Sequence, residues 1–175
     1  MPAKHPEFTK VDGDTCYHWY DSPLGSLLLT GNKNALFTIS FPIKNALPAD
    51  QWRASATAFK DCCQQLDEYF KGSRREFDLP LAPKGTEFQT SVWRELVKIP
   101  YGQTTSYGAI AKRIGNDKAV RAVGGANGRN PIPVIIPCHR VIGSNGSLTG
   151  FGGGLPTKTF LLNLENSEQL ALDLQ

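Results

Sequence analysis

The sequence predicts an α+β protein in two parts: a small N-terminal α/β domain built on an antiparallel sheet, followed by a C-terminal domain of helix-turn-helix type. Three observations predict it. Short β-rich runs separated by turn residues fill the first third of the chain. Apolar residues then recur at helical spacing. The second half carries several short helical patterns, each punctuated by proline or glycine.

The elements follow in order. Residues 16–21 and 26–30 read as strands flanking the turn Ser22-Pro23-Leu24-Gly25, and 35–41 is a third β-rich run. Trp52, Ala56, Phe59, Cys63, Leu66 and Phe70 are spaced by four and three, which predicts a helix closed by Gly72, with Cys63 on its core stripe and Cys62 beside it. Residues 74–84 are proline-rich without a clear period and form the candidate linker, dividing the chain into 1–83 and 84–175. Thr86 and Gln89 fit a capping box ahead of Phe88, Val92, Leu96 and Val97. Residues 107–114 form a short helix capped by Thr105 or Ser106, Gly115-Asn116 a tight turn, and 118 to about 127 a second helix that Asp117 can cap. Pro156 fits the first turn of a last helix, with Phe160, Leu161 and Leu164 on its apolar side and Glu165 ending the stripe.

Length and composition are those of a globular protein of one or two small domains. The first ten residues have no apolar core of a signal peptide, and no run approaches the roughly 18 apolar residues of a membrane helix. Four cysteines without a C-x-x-C pair argue against a disulfide framework and for a reducing cytoplasm. The net charge of +3 is unevenly spread. Residues 84–145 hold nine Lys/Arg against three Asp/Glu, whereas residues 1–83 hold nine against ten. A basic block of this kind is either a solvated surface or a face for a polyanion.

Inside the second helix of the pair lies Gly124-Gly125-Ala126. Each glycine costs about 1 kcal/mol relative to alanine. Either the helix frays early or packs closely on a neighbour there, or it presents a smooth face that lets a nucleic-acid backbone approach, with Arg121 one turn earlier reaching outward. The basic block also contains Pro137-Cys138-His139-Arg140, delivered by the apolar run 132–136 and followed by Gly143-Ser144-Asn145-Gly146. A cysteine beside an imidazole has the makings of an activated nucleophile, because a free thiol is only a few per cent thiolate at neutral pH and needs a base. Sequence neighbours point apart in extended chain. Either a turn brings the two side chains round or a water links them, and a carboxylate from elsewhere would orient the imidazole.

The run Ile136-Pro137-Cys138-His139-Arg140-Val141-Ile142-Gly143 resembles the active-site signature of the methylated-DNA–protein-cysteine S-methyltransferases, the 6-O-alkylguanine-DNA alkyltransferases. The resemblance extends from Phe88 to Glu165 through Ile99-Pro100-Tyr101-Gly102, Ser106-Tyr107-Gly108, the segment 119–126, Arg129-Asn130-Pro131 and the segment 148–154. It implies a ribonuclease-H-like first domain and a winged helix-turn-helix second domain. It implies a monomer that binds double-stranded DNA, flips 6-O-alkylguanine (and 4-O-alkylthymine) through the minor groove, and takes the alkyl group once, without a cofactor.

The resemblance also implies residue roles. Cys138 accepts the alkyl group, His139 is the base through a water, and Glu165 completes the relay. Tyr107 donates to the guanine ring, and Asn130 supports the turn before the cysteine. The carbonyls of Cys138 and Val141 accept from the exocyclic amine of guanine, and an N–H near Gly152 approaches the alkylated oxygen. Pro133 and Phe151 complete the pocket; Phe151 stands where some relatives have tyrosine, so any role of that hydroxyl is absent. Arg121 fills the space left by the flipped nucleotide. Ala119, Gly124, Gly125 and Ala126 line the DNA face, and Lys112, Arg113, Lys118 and Arg129 meet phosphates. Competing readings are a lesion sensor without transfer chemistry, a cysteine hydrolase using Cys138, His139 and Glu165, and a metal near His5, Cys16 and His18, for which no ligand spacing is convincing.

Overall fold

A computed structural model describes the backbone of residues 4–173 and the side chains of residues 4–166. The chain divides into two compact units, Met1–Lys84 and Gly85–Gln175. In the first, strands β1 (Cys16–Ser22), β2 (Gly25–Asn32) and β3 (Ala35–Ser40) form an antiparallel meander, and the two-residue β4 (Arg53–Ala54) adds a parallel edge beside β1. The sheet order is β3-β2-β1-β4. Central β2 buries Leu27, Leu28, Leu29 and Thr30 in succession, as a strand covered on both faces must. Gly31 marks a bulge at which an added Cβ would lie 2.4 Å from the Ala35 carbonyl, so only glycine fits.

Helix α1 (Lys60–Phe70) is shorter than its apolar spacing predicts, and Trp52 and Ala56 lie outside it. The cause is strand pairing: Arg53 N and Ser55 N donate to the carbonyls of Thr15 and Tyr17, which captures this backbone for the sheet. The buried stripe is Cys62, Leu66 and Tyr69, with Cys63 only partly covered, the reverse of the order expected for the two cysteines. The expected linker at 74–84 is held against the sheet. Phe77, Leu79, Leu81 and Ala82 are buried, Leu36 N donates to Pro80 O, and Ala82 N donates to Leu36 O.

The second unit begins with α2 (Glu87–Leu96), whose capping box closes as expected: Gln89 N donates to Thr86 Oγ1 and Thr86 N to Gln89 Oε1. Ser106 caps α3 (Tyr107–Arg113) by accepting from Ala109 N. Helix α4 (Val120–Gly128) starts later than expected, with Ala119 at its N-cap and no side-chain cap, so Asp117 does not serve. Trp93 anchors α2 to α4 by donating from Nε1 to Ala126 O at 2.9 Å. Two short strands, β5 (Thr105–Ser106) and β6 (Val141–Ile142), pair in parallel with Thr105 opposite Val141. That ladder sets the chain after the cysteine beside the start of α3. Helix α5 (Leu155–Asp173) closes the unit by burying Leu161, whereas Phe160, expected on its apolar side, is exposed.

Candidate active site and nucleic-acid face

The turn 130–137 is over-determined before the chemistry begins. Asn130 Oδ1 accepts from Ile132 N at 3.0 Å, Asn130 Nδ2 donates to Ile136 O at 2.7 Å, and Ile136 N donates to Ile132 O at 2.9 Å. Inside this brace Val134 is held at φ 73°, a strained conformation for a β-branched residue, of order 1–3 kcal/mol. The turn delivers Cys138–Arg140 as one 3-10 turn, not as extended chain, with all three side chains buried.

Burial pushes the Cys138 thiol up to about 11, opposed by a hydrogen bond from Asn130 and by the charge of Lys158. The thiol is therefore stored protonated and needs a base to become a nucleophile. His139 is fully buried, and Nε2 lies 2.7 Å from Glu165 Oε1. The contacts with His139 and Arg140 hold the Glu165 carboxyl far below the usual carboxylate range against the opposing effect of burial. An ionised carboxylate only accepts, so Nε2 carries the hydrogen and Nδ1 keeps its lone pair. Burial also lowers the imidazole pKa, so the ring is neutral. Among the described residues Nδ1 has no hydrogen-bond partner, the Cys138 sulfur included. The ring is thus fixed on one side and a base on the other.

Glu165 is 1% exposed, buried among its partners on α5. It also accepts from Arg140 Nε and Nη2, both at 2.9 Å, and from Gly102 N at 3.3 Å. Arg140 Nη1 donates to Ile99 O at 2.7 Å, and the guanidinium lies over the Tyr101 ring. Lys158 is fully buried on α5, and its Nζ donates to Val141 O at 2.6 Å and Thr149 O at 3.2 Å. Asn127, 3% exposed, donates from Nδ2 to Cys138 O at 3.4 Å.

The sequence reading missed these three residues, although each had a signal. Arg140 is part of the four-residue motif. Lys158 shares the stripe of Leu161 and Glu165 at spacings of three and four, where a lysine is out of place unless paired. Asn127 adjoins Ala126 on the buried side of α4.

Of the expected pocket residues, Pro133 and Val141 are buried and Phe151 and Gly152 partly exposed. Tyr107 heads α3, with its hydroxyl 2.7 Å from Thr149 Oγ1. On the outer side Lys112, Arg113, Lys118, Arg121 and Arg129 are exposed and Ala119 is half-buried. A Cβ added at Gly125 or Gly128 would meet nothing within 4 Å, and one at Gly124 would meet only Tyr107 at 3.9 Å. Close packing within the chain does not explain these glycines. Arg121, Gly125 and Gly128 lie on one open helical face, with exposed Ala122 beside them. Ala126, expected on that face, is 2% exposed and belongs to the core.

Among the described residues no three His, Cys, Asp or Glu side chains come together as metal ligands. His18 stacks on Phe59, and Cys16 Sγ accepts from Arg53. No helix among the described residues is long and apolar enough to cross a membrane.

Family models match both units: the DNA binding domain of 6-O-methylguanine DNA methyltransferase over residues 87–167, and its ribonuclease-like domain over residues 15–83. A methylated-DNA–protein-cysteine methyltransferase of Methanosarcina acetivorans is 52% identical over 153 residues, covering 86% of this chain and 98% of its own. Its Mycobacterium tuberculosis counterpart is 48% identical over 152 residues, covering 86% and 92%. The crystal structure of Mycobacterium tuberculosis OGT in complex with DNA superposes with a TM-score of 0.82 at 47% identity, covering 87% of this chain and 93% of that one.

Proposed function

The chain belongs to the 6-O-methylguanine DNA methyltransferase family, and we propose that it repairs DNA by moving the alkyl group of 6-O-alkylguanine onto Cys138, once per molecule. The observation that carries this reading is a buried, protonated thiol one residue from a neutral imidazole whose Nε2–H is fixed on Glu165.

The lesion lies inside a duplex, so the base must be flipped out, at a cost of a few kcal/mol. The glycine face of α4 lets the backbone approach the minor groove, where shape matters more than a rich hydrogen-bond code. Arg121 projects from that face to occupy the place of the flipped nucleotide, and Lys112, Arg113, Lys118 and Arg129 neutralise phosphates without reading sequence. In the pocket His139 Nδ1 takes the thiol proton through a water. The Cys138 sulfur attacks the alkyl carbon, the carbon–oxygen bond breaks, and the electron pair passes to the guanine ring. Tyr107 meets that charge with its hydroxyl proton. The net positive charge of Arg140 and Lys158 over Glu165 favours the thiolate at the moment of attack.

The product is a thioether, and nothing in the site regenerates the thiol. The described cysteines are all free, which suits a reducing compartment, and the protein acts as a monomer. The test is a duplex carrying one 6-O-methylguanine, followed by intact and peptide mass. One CH2 must appear on the Cys138 peptide, saturating at one per chain. Turnover beyond one equivalent, or a gain elsewhere, refutes the reading.

A further inference from the structure

We propose that Asn127 and Lys158 are positioning residues that set specificity for guanine, each aiming one backbone carbonyl at the exocyclic amine of the flipped base. The inference rests on the alkylguanine reading above, in which the carbonyls of Cys138 and Val141 accept from that amine. Each of these carbonyls has one side-chain donor behind it. Lys158 Nζ donates to Val141 O at 2.6 Å, and Asn127 Nδ2 donates to Cys138 O at 3.4 Å. A carbonyl oxygen has two lone pairs, so Lys158 leaves the second on Val141 O for the base; Cys138 O also accepts from Val141 N, and the base shares that oxygen with both donors.

Both donors are costly where they stand. Lys158 is fully buried, and its hydrogen bonds go to backbone oxygens, Val141 O and Thr149 O. A neutral donor would satisfy a carbonyl with a smaller desolvation penalty. The ammonium does more: it ties β6 to the segment that carries Thr149, the partner of Tyr107. Asn127 is 3% exposed, and its Oδ1 has no partner among the described residues. The amide is held by its bond to the carbonyl of the nucleophile. Buried polar groups with so few partners are uncommon in packed interiors and call for a specific use. Aim is that use, because a hydrogen bond weakens steeply when the acceptor is turned away.

The test compares two lesions that differ only in the amine: 6-O-methylguanine and 6-O-methylhypoxanthine in the same duplex. Single-turnover rate constants are taken for the wild type, Asn127→Leu, Lys158→Met and Lys158→Gln. The ratio of the two rates within one variant is independent of the fraction of protein that is folded. The wild type should favour guanine by about threefold to tenfold, the worth of one well-aimed hydrogen bond. Asn127→Leu and Lys158→Met should each bring the ratio toward one, and Lys158→Gln, which keeps a donor, should restore part of it. If Met at 158 yields no folded protein, Asn127→Leu carries the same test on the other carbonyl. A ratio unchanged while both rates fall together overturns the inference and leaves the two residues structural. A wild type that reacts equally with both lesions also overturns it, while alkyl transfer to Cys138 stands. A wild type that reacts with neither refutes the function itself.

Discussion

Replacing Glu165 with glutamine changes one oxygen for one nitrogen in a site where four donors face the carboxylate. Oε1 accepts from His139 Nε2 and Arg140 Nη2, and Oε2 accepts from Arg140 Nε and Gly102 N. A glutamine amide has one acceptor oxygen, so either orientation turns its NH2 group toward two donors. Arg140, 6% exposed, keeps its charge but loses its counterion. Leaving one member of a buried pair unpaired costs about 3–5 kcal/mol, which for a chain of this size lowers the melting temperature by roughly 10 °C. The imidazole also loses the acceptor that fixes its tautomer, so single-turnover transfer should slow by about 10²–10⁴-fold.

Acidity gives a second readout of the same substitution. The folded pKa of Glu165 is depressed, so its contribution to stability is full above the unfolded value of about 4.3 and is lost as pH falls toward the folded value. Glu165→Gln should remove that acid-dependent loss. The assays are thermal melting across pH and quenched transfer from methylated duplex. A variant that melts with the wild type and transfers within about threefold of its rate refutes the relay built on this carboxylate.

Other outcomes follow from the same geometry. Cys138→Ala should abolish transfer while duplex affinity, measured by fluorescence anisotropy, stays within about twofold, because the sulfur is buried away from the DNA face. Arg121→Ala should slow repair of duplex by about tenfold or more and leave reaction with the free base 6-O-methylguanine nearly unchanged; equal losses on both would remove its role in flipping. Because burial lowers the His139 pKa, transfer should stay level as pH falls through the ordinary histidine value of about 6.5 and drop only below it; a midpoint at or above that value would contradict a buried neutral base. Duplex affinity should fall linearly in log–log with salt, and Lys118→Ala should reduce that slope by about one.

How much of this was legible depends on whether the physics was local. The capping box at Thr86 and Gln89 involves four consecutive residues, and it closes as read. The strand–turn–strand around Ser22–Gly25 is local too, and the observed register pairs Ser22 with Gly25. Helix α1 was misjudged at its start because β1, some forty residues earlier, claims the backbone of Arg53 and Ser55 through hydrogen bonds. The observed stripe keeps Leu66 but takes Cys62 and Tyr69 in place of Cys63 and Phe70, which exchanges the expected roles of the two cysteines. Phe160 resembles a core residue by type, but α5 buries Lys158 and Leu161 instead. In the site, the motif pointed to Cys138 and His139, and the family resemblance supplied Glu165. Lys158 and Asn127 each carried a signal of burial, but their partners did not, because what they touch is backbone, and a carbonyl leaves no mark in a sequence.

Glu165 lies 26 residues beyond His139. A chain made from its N-terminus at about 5–20 residues per second exposes the thiol and imidazole well before the carboxylate that organises them. Until α5 docks, the cysteine is an ordinary thiol with no oriented base, poorly matched to an alkyl ether as unreactive as the lesion. An acceptor that can be used only once is thereby kept from premature consumption. Its reactivity is a property of the finished fold, and any chain that loses α5 falls silent before it can be wasted.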